Sequence, residues 1–429
     1  MTGIEDVGRI QRETFEKPMT TPSNKHTVSS RQLARLPLAV SLLIMAVACG
    51  GGGGGTAATP DHVAEVPAPA PGPAPAPGPA PAPQTPPTLG EPRTSARMFF
   101  SGHSLTDNPL PEYVTAIAQS LRATAWWNQQ NIVGSPIAAR TRGNDSSGTA
   151  FPGYREGKNR VGSGMDVVSE LRNPQTIGGQ RYDTLIITER HDIVNTIVWE
   201  NTIGYTRHFH DRLIEGNPLA STYLYHSWLG MPDKNAPRNW VNFERAVAPA
   251  WQCVAARVNE SLALVGRRDR VVYLPAGLAL ASLVEQATQG SGVAGVTGAS
   301  VRETVDRLFS DDVHLTSLGV YYMALVNYAS VYRQSPVGAW VPSGVTATQA
   351  RSLQDAAWQA VTAHFTTYSE PDNAQCRAVM RDSVCPAFYN FTNRSDLVGT
   401  CPNTFSGTAQ NNPFYFNAST DSSRWLPAP

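Results

Sequence analysis

Short apolar runs alternate with helical stretches between residues 97 and 333, and this alternation constrains the fold more than any other feature. The run at 184–188 (Thr-Leu-Ile-Ile-Thr) is apolar enough to be buried on both faces of a sheet. Strands separated by helices imply right-handed crossovers, which place helices on both faces. The pattern therefore predicts an α/β fold, with three α/β/α layers around a five-stranded, mostly parallel sheet. The predicted strands cover 98–100, a segment ending at 131–133, 184–188, 221–226 and 271–274.

The segments between these strands show helical spacing. Val114, Ile117, Ala118 and Leu121 fall on one face of a helix over 111–121. Thr316 or Ser317 is expected to cap a last helix that runs to about residue 332. Together these elements define a main domain over 94–338. Further helices are predicted over 202–215 and 243–264, and a long loop over 142–164.

The first 48 residues read as a secretory signal. An apolar run at 36–48 follows Arg31 and Arg35, and it is too short for an ordinary membrane span. Cys49 comes directly after small residues, which resembles a bacterial lipoprotein box and predicts lipidation of Cys49. A plain signal peptide with an incidental cysteine is the alternative, and Met19 is an alternative start. We expect the protein to lie in a bacterial cell envelope, held to the membrane through Cys49.

Residues 49–93 read as a tether. Six consecutive glycines at 50–55 are followed by a stretch that alternates proline with alanine and glycine. Such composition favours flexible and polyproline II chain and cannot build a core. The tether either spans an envelope layer or serves as a solubilising spacer.

The charge and cysteine content limit the classes of function. Lys plus Arg and Asp plus Glu both number 34, so the formal net charge is zero and charge-driven nucleic-acid binding is not expected. With Cys49 lipidated, four of the five cysteines remain, and an even number in an exported protein predicts two disulfides. Three of the four lie in the C-terminal tail, so one bridge is expected to join that tail to Cys253.

Neither a cofactor nor a metal is expected. No Cys-x-x-Cys or zinc-type spacing occurs in the sequence. His208, His210 and Asp211 offer metal ligands, but residues two apart do not share a helix face.

Polar residues stand directly after the predicted strands. Ser104, Gly134 and His191 each follow a strand end, where ligands bind in open α/β sheets. Near the end of the domain, Asp311 and His314 form Asp-x-x-His before the last helix. A serine hydroxyl becomes a good nucleophile when a histidine takes its proton and a carboxylate orients that histidine. The order predicts a catalytic triad of Ser104, His314 and Asp311, with Asp312 as the alternative carboxylate.

These residues resemble the conserved blocks of the SGNH (GDSL-type) hydrolases, over residues 97 to about 333. Gly102-His103-Ser104-Leu105 is similar to that family's Gly-Asp-Ser-Leu block. Gly134 matches the glycine after its second strand, and Asp311 with His314 matches its Asp-x-x-His. The resemblance implies an oxyanion hole built from the N–H groups of Ser104 and Gly134 and a third donor.

The third block departs from the family pattern. The family reads Gly-x-Asn-Asp, whereas this chain reads Glu189-Arg190-His191-Asp192. His191 therefore stands where the asparagine donor is expected, and it can donate only if protonated or in the right neutral tautomer. Asn195 is a second candidate donor. His103 replaces the family's aspartate and is expected to be solvated.

Two further regions are expected to border the cleft. His226 and Trp228 follow the fourth strand, and with Trp240 and Trp251 they are candidates for contacts to a sugar ring or an acyl chain; ordinary core packing is the alternative. Residues 339–429 are expected to form a helix, begun by a capping box at Thr346, and a small disulfide-bonded cap.

Together these features predict a secreted serine esterase that hydrolyses O-acyl esters, with O-acetylated polysaccharide as the favoured substrate. An O-acyltransferase that uses the same acyl-enzyme is one alternative. An inactive, carbohydrate-binding envelope lipoprotein is another, because the third block is altered. Lipase action on long acyl chains is a weaker variant.

Overall fold

One parallel sheet forms the centre of the fold. The structure, a computed structural model, describes residues 90–141, 152–407 and 411–427. Within these residues the sheet has five strands in the order β2-β1-β3-β4-β5, and every neighbouring pair is parallel. The α/β fold and the five-stranded sheet are thereby confirmed. The strands are β1 (Ser95–Gly102), β2 (Thr124–Asn131), β3 (Thr184–Thr188), β4 (Ser221–Tyr225) and β5 (Val271–Leu274).

Helices connect the strands and continue into the C-terminal region. The segments 153–155 and 421–424 form 3₁₀ turns, and 380–384 forms a π-helical segment between two α-helices. The described helices are α1 (Leu110–Ser120), α2 (Ile137–Arg140), α3 (Val167–Arg172), α4 (Ile193–Trp199), α5 (Thr202–Gly216), α6 (Arg238–Leu264), α7 (Ala276–Gln289), α8 (Val301–Leu308), α9 (Ser317–Tyr332), α10 (Ala347–Thr367), α11 (Asn373–Val379), α12 (Cys385–Phe391), α13 (Ser395–Val398) and α14 (Cys401–Ser406).

The two faces of the sheet carry two separate cores. Side chains alternate between faces along a strand, so Phe100 and Ile186 pack into one core and Phe99 and Leu185 into the other. Helices α1, α7, α9 and α10 cover the first face, and α3, α4, α5 and most of α6 cover the second. All five residues of β3 are buried, as its apolar sequence predicts for a strand covered on both faces.

Helix caps form where the sequence predicts them. The Thr316 side chain accepts a hydrogen bond from the N–H of Gly319 and begins α9, whose residues are almost all buried. Thr346 and Gln349 form a reciprocal capping box at the start of α10. The apolar face of α10, including Leu353 and Phe365, joins the core of the first face, so this helix is part of the main packing unit.

Several element boundaries differ from the prediction, and β1, for example, covers Ser95–Gly102 where 98–100 was expected. The second strand ends at Asn131, and Ile132 and Val133 lie in the loop that follows it. The helix predicted from residue 243 begins at Arg238, one and a half turns earlier. Ile132 and Val133 continue the apolar run past the strand end, and an apolar sequence alone does not show where the hydrogen bonds between strands stop.

Two disulfides hold the C-terminal region. Cys253 in α6 is bonded to Cys376 in α11, and Cys385 is bonded to Cys401. The first bond confirms that one bridge joins the tail to Cys253. The signal segment, Cys49, most of the tether and part of the predicted 142–164 loop lie outside the described residues. No helix among the described residues is long and apolar enough to cross a membrane.

Candidate active site

Ser104 lies on a turn at the carboxyl edge of the sheet, the edge where β1, β2 and β3 end. The carbonyl of His103 accepts a hydrogen bond from the N–H of Thr106 at 2.9 Å, which closes the turn. Helix α1 begins only at Leu110, so Ser104 lies on this turn and not at a helix N-terminus. Gly102 is needed for this tight turn, since a Cβ there would lie 1.8 Å from the Thr106 hydroxyl.

The structure brings Ser104, His314 and Asp311 into one hydrogen-bonded chain. His314 Nε2 lies 3.0 Å from Ser104 Oγ, and His314 Nδ1 lies 2.7 Å from Asp311 Oδ2. A carboxylate only accepts, so Nδ1 carries the proton and the Nε2 lone pair faces the serine hydroxyl. This is the arrangement that a serine needs in order to pass its proton to a histidine.

Asp311 is held in place by the loop that it begins. Its Oδ1 accepts hydrogen bonds from the N–H groups of His314 at 2.6 Å and Val313 at 2.8 Å. Partial burial alone would raise the pKa of Asp311, but the hydrogen bonds from His314 and Val313 outweigh burial and lower this pKa. Asp311 therefore stays ionised and orients His314 at neutral pH. The alternative carboxylate, Asp312, lies beside Gly230, and Asp311 is the carboxylate on His314 Nδ1.

Trp228 supports the loop that carries His314. Its indole N–H donates to the carbonyl of Val313 at 2.9 Å, and the N–H of Met231 donates to the carbonyl of Asp312 at 2.7 Å. Trp228 is only 1% exposed, so it is not placed to stack on a substrate. The position of Trp228 after β4 predicts that it lies at this edge of the sheet. The sequence does not show that its ring packs against the loop that carries His314.

His226 is also a core residue, and its predicted contact with substrate is corrected. Its side chain is fully buried against Trp251 of α6 and Gly277 of α7, and its Nδ1 lies 2.8 Å from the hydroxyl of Tyr273. Burial lowers the pKa of His226 to about 3, so the ring is neutral. Trp240 and Trp251 are buried as well, which removes the predicted aromatic platform.

Two main-chain N–H groups in the loops at this edge of the sheet have no acceptor among the described residues. They are those of Ser104 itself and of Gly134, in the loop after β2. Gly134 has φ +65°, a left-handed conformation that glycine adopts without strain. Unpaired main-chain N–H groups are the kind of donor that an oxyanion requires.

His191, in the third block, lies near the triad. Its ring centroid is 6.2 Å from that of His103, and the charges of both His314 and Asp312 influence its pKa. Burial lowers the pKa of His191, with Arg190 and His314 acting in the same direction. The ring is therefore neutral near pH 7, and it donates a hydrogen bond only from the nitrogen that carries its proton.

Asn195, the second candidate donor, is engaged elsewhere. Its Nδ2 donates to Asp192 Oδ2 at 3.3 Å, and its Oδ1 accepts from the hydroxyl of Tyr389 at 2.9 Å. Tyr389 belongs to α12, so the disulfide-bonded C-terminal region reaches the segment that follows the third block. Asn195 thus links this region to α4.

His103 is a buried structural residue, and the expectation that it is solvated is wrong. Its Nε2 donates to the carbonyl of Glu189 at 3.1 Å, and its Nδ1 accepts from the N–H of Leu105 at 3.4 Å. Burial, with the nearby Arg140 charge, lowers its pKa to about 3. Neutral His103 thereby joins the Ser104 turn to the end of β3, a contact that sequence order alone does not reveal.

The residues considered for a metal make other contacts. His208 lies against Tyr154 and the carbonyl of Pro427, whereas His210 contacts Thr222 and Asp269. The described part of the chain holds no group of three or more His, Cys, Asp or Glu side chains placed to bind a metal ion.

Known proteins show little similarity to this chain. No family model matches the chain, and no curated protein matches it. Among solved structures, it is similar to a DUF4886 family protein from Bacteroides uniformis, with a TM-score of 0.42 and 12% identity. The match covers 64% of this chain and 98% of that one. A likeness this distant indicates neither the family nor the function of this chain.

Proposed function

We propose that the protein is a serine esterase of the SGNH type that cleaves O-acyl esters through an acyl-serine intermediate. One observation carries the proposal: His314 joins Ser104 Oγ at 3.0 Å to Asp311 at 2.7 Å, with both ring nitrogens in the required roles. The three residues come from two ends of the domain and meet at the edge of the sheet where α/β proteins bind ligands.

In the first half of the proposed reaction, Ser104 is acylated. His314 Nε2 takes the hydroxyl proton as Ser104 Oγ attacks the ester carbonyl, and the carbonyl oxygen becomes an oxyanion. The N–H groups of Ser104 and Gly134 donate to that oxyanion. Collapse of the intermediate breaks the bond to the alcohol, which leaves with the proton from His314.

In the second half, water replaces the alcohol. His314 takes a proton from water, the hydroxide adds to the acyl carbon, and the second oxyanion collapses. Ser104 recovers its proton from His314, and the acid is released. Asp311 accepts the Nδ1–H bond throughout and stabilises the imidazolium that forms in each half.

The proposed setting favours a polysaccharide ester as substrate. A signal segment, a lipid anchor on Cys49 and a Pro-rich tether would hold the enzyme in a bacterial envelope, where O-acetylated glycans are available. This preference rests on the proposed location.

A carbohydrate-binding lipoprotein without activity is the second candidate, because the third oxyanion donor is not established. His191 is neutral and stands where a side-chain amide is expected. Loss of one such donor typically costs about 3 kcal/mol of transition-state stabilisation.

Labelling with a fluorophosphonate probe tests the proposal. We expect the wild-type protein to be labelled and the Ser104→Ala variant not to be. The exposed Ser291, replaced by alanine, is the matched control and should leave labelling unchanged. Graded p-nitrophenyl esters and an O-acetylated glycan then give the acyl length and show whether free acid or a newly acylated sugar accumulates. A folded wild-type protein that is neither labelled nor active on any ester, yet binds glycan, would establish the second candidate instead.

A further inference from the structure

An arginine with no exposed surface lies beneath the candidate site. Arg140, the last residue of α2, donates from Nε to Ser101 Oγ at 3.1 Å. Its Nη1 donates to the carbonyl and the hydroxyl of Ser135 at 2.7 and 2.8 Å, and its Nη2 donates to the carbonyl of Thr188. One guanidinium therefore joins the end of β1, the loop after β2 and the end of β3.

Glu189 makes a second set of contacts to the same segments. Its carboxylate accepts from the N–H of Ile137 at 2.9 Å and from the Thr202 hydroxyl at 2.8 Å. Its carbonyl accepts from His103 Nε2 at 3.1 Å. Glu189 is fully buried, and its contacts reach the Ser104 turn, the end of the Gly134 loop and the start of α5.

The charges of these two residues depend on each other. Burial raises the pKa of Glu189 to about 7, and the positive charge of Arg140 opposes that rise. Burial lowers the pKa of Arg140 to about 10, and the charge of Glu189 opposes that change in turn. Removing one partner would leave a buried charge without compensation.

The loop that carries Gly134 is thus held at two points. Arg140 holds Ser135, and Glu189 holds the N–H of Ile137. The Ser104 turn is held on its other side, since the N–H of Ile132 donates to the carbonyl of Gly102 at 3.1 Å. The planar guanidinium of an arginine bonded to three separate segments fixes their relative positions, because its N–H groups point in set directions. The single ammonium group of a lysine cannot do this.

We propose that Arg140 and Glu189 are positioning residues that set the placement of the Ser104 and Gly134 N–H groups relative to each other. The inference rests on the proposed function, because these N–H groups would form its oxyanion hole. Such donors are effective only when they are held in place before the charge develops. Neither residue touches substrate; both act through the main chain of the two loops.

The test uses Arg140→Lys and Glu189→Gln in the full chain. Arg257, which is also fully buried and pairs with Asp421, is changed to methionine as the matched control. We expect kcat for p-nitrophenyl acetate to fall by about 10²-fold in the two test variants, with KM nearly unchanged, as for loss of one oxyanion donor. Amide hydrogen exchange should accelerate in segments 101–106 and 131–137. The Arg257→Met control should lose stability but keep kcat and the exchange rates of those segments.

The two readouts separate failure of this inference from failure of the proposed function. Folded variants with wild-type kcat and wild-type exchange in both segments would overturn the positioning role while leaving the esterase intact. A wild-type protein inert towards every ester would refute the esterase, and exchange alone would then decide whether the two residues hold the loops. If Arg140→Lys does not fold, the nearly isosteric Glu189→Gln decides the question.

Discussion

The two disulfides close chain loops of very different length, which makes their contributions to stability separable. Cys253 and Cys376 are 123 residues apart, whereas Cys385 and Cys401 are 16 residues apart. A cross-link lowers the entropy of the unfolded chain by a constant plus a term that grows with the logarithm of the loop length. For loops of these lengths, this relation gives about 4.9 and about 3.1 kcal/mol at 25 °C.

Alanine replacement of each cysteine pair measures this difference. All four cysteines are buried, so the loss of packing is similar in the two double variants and largely cancels between them. We expect Cys253→Ala with Cys376→Ala to lower the free energy of unfolding by about 2 kcal/mol more than Cys385→Ala with Cys401→Ala. Urea unfolding, followed by fluorescence and by circular dichroism, gives both free energies.

The comparison requires that each variant unfold in one transition with the same dependence on urea as the wild type. If the short-loop variant then loses as much stability as the long-loop variant, loop entropy does not govern these bonds. The reasoning would also be refuted if neither variant differed from the wild type.

Three further predictions concern the site and its surroundings. Asp311→Asn should lower esterase activity by about 10⁴-fold, because an amide facing His314 Nδ1 favours the wrong imidazole tautomer. Asp312→Asn is the control and should leave steady-state activity nearly unchanged. Equal losses in the two variants would contradict the assignment of Asp311. Gly102→Ala should abolish fluorophosphonate labelling, since the new Cβ would lie 1.8 Å from Thr106 Oγ1. Circular dichroism should show that the variant stays folded. Normal labelling of the variant would argue against a rigid turn at Ser104. Because burial lowers the pKa of His226 from 6.5 to about 3, the stability it contributes is present above pH 6.5 and is lost as the pH falls towards 3. Below pH 6, the free energy of unfolding should therefore depend less steeply on pH in His226→Asn, by about 1.4 kcal/mol per pH unit. Urea titration at several pH values measures this slope. An unchanged slope would show that the His226 ring does not titrate as described.

Local patterns predicted most of the secondary structure. β3 and β5 have the predicted bounds, and Thr316 and Thr346 cap the helices that they were expected to begin. Strand alternation, helical spacing and side-chain caps depend on residues close together in the chain. They can therefore be predicted from the sequence before any tertiary contact is known.

The candidate triad was predicted by combining a local and a topological argument. Asp311 and His314 are three residues apart, so one turn of chain brings them together. Ser104 is 210 residues from His314. The parallel strand order places Ser104 at the carboxyl edge of the sheet, and the loop between α8 and α9 brings His314 to it. Their catalytic role stays a prediction that labelling will decide.

The sequence by itself determined the alternation of strands and helices, the helix caps and the residues that follow each strand, because these depend on near neighbours. Tertiary structure decided what those residues do. His226 and Trp228 follow β4 just as His191 follows β3, yet α6, α7 and the His314 loop bury the first two. Arg140 and Glu189 likewise acquire their roles from packing, since a buried charge is tolerated only where distant segments supply its partners.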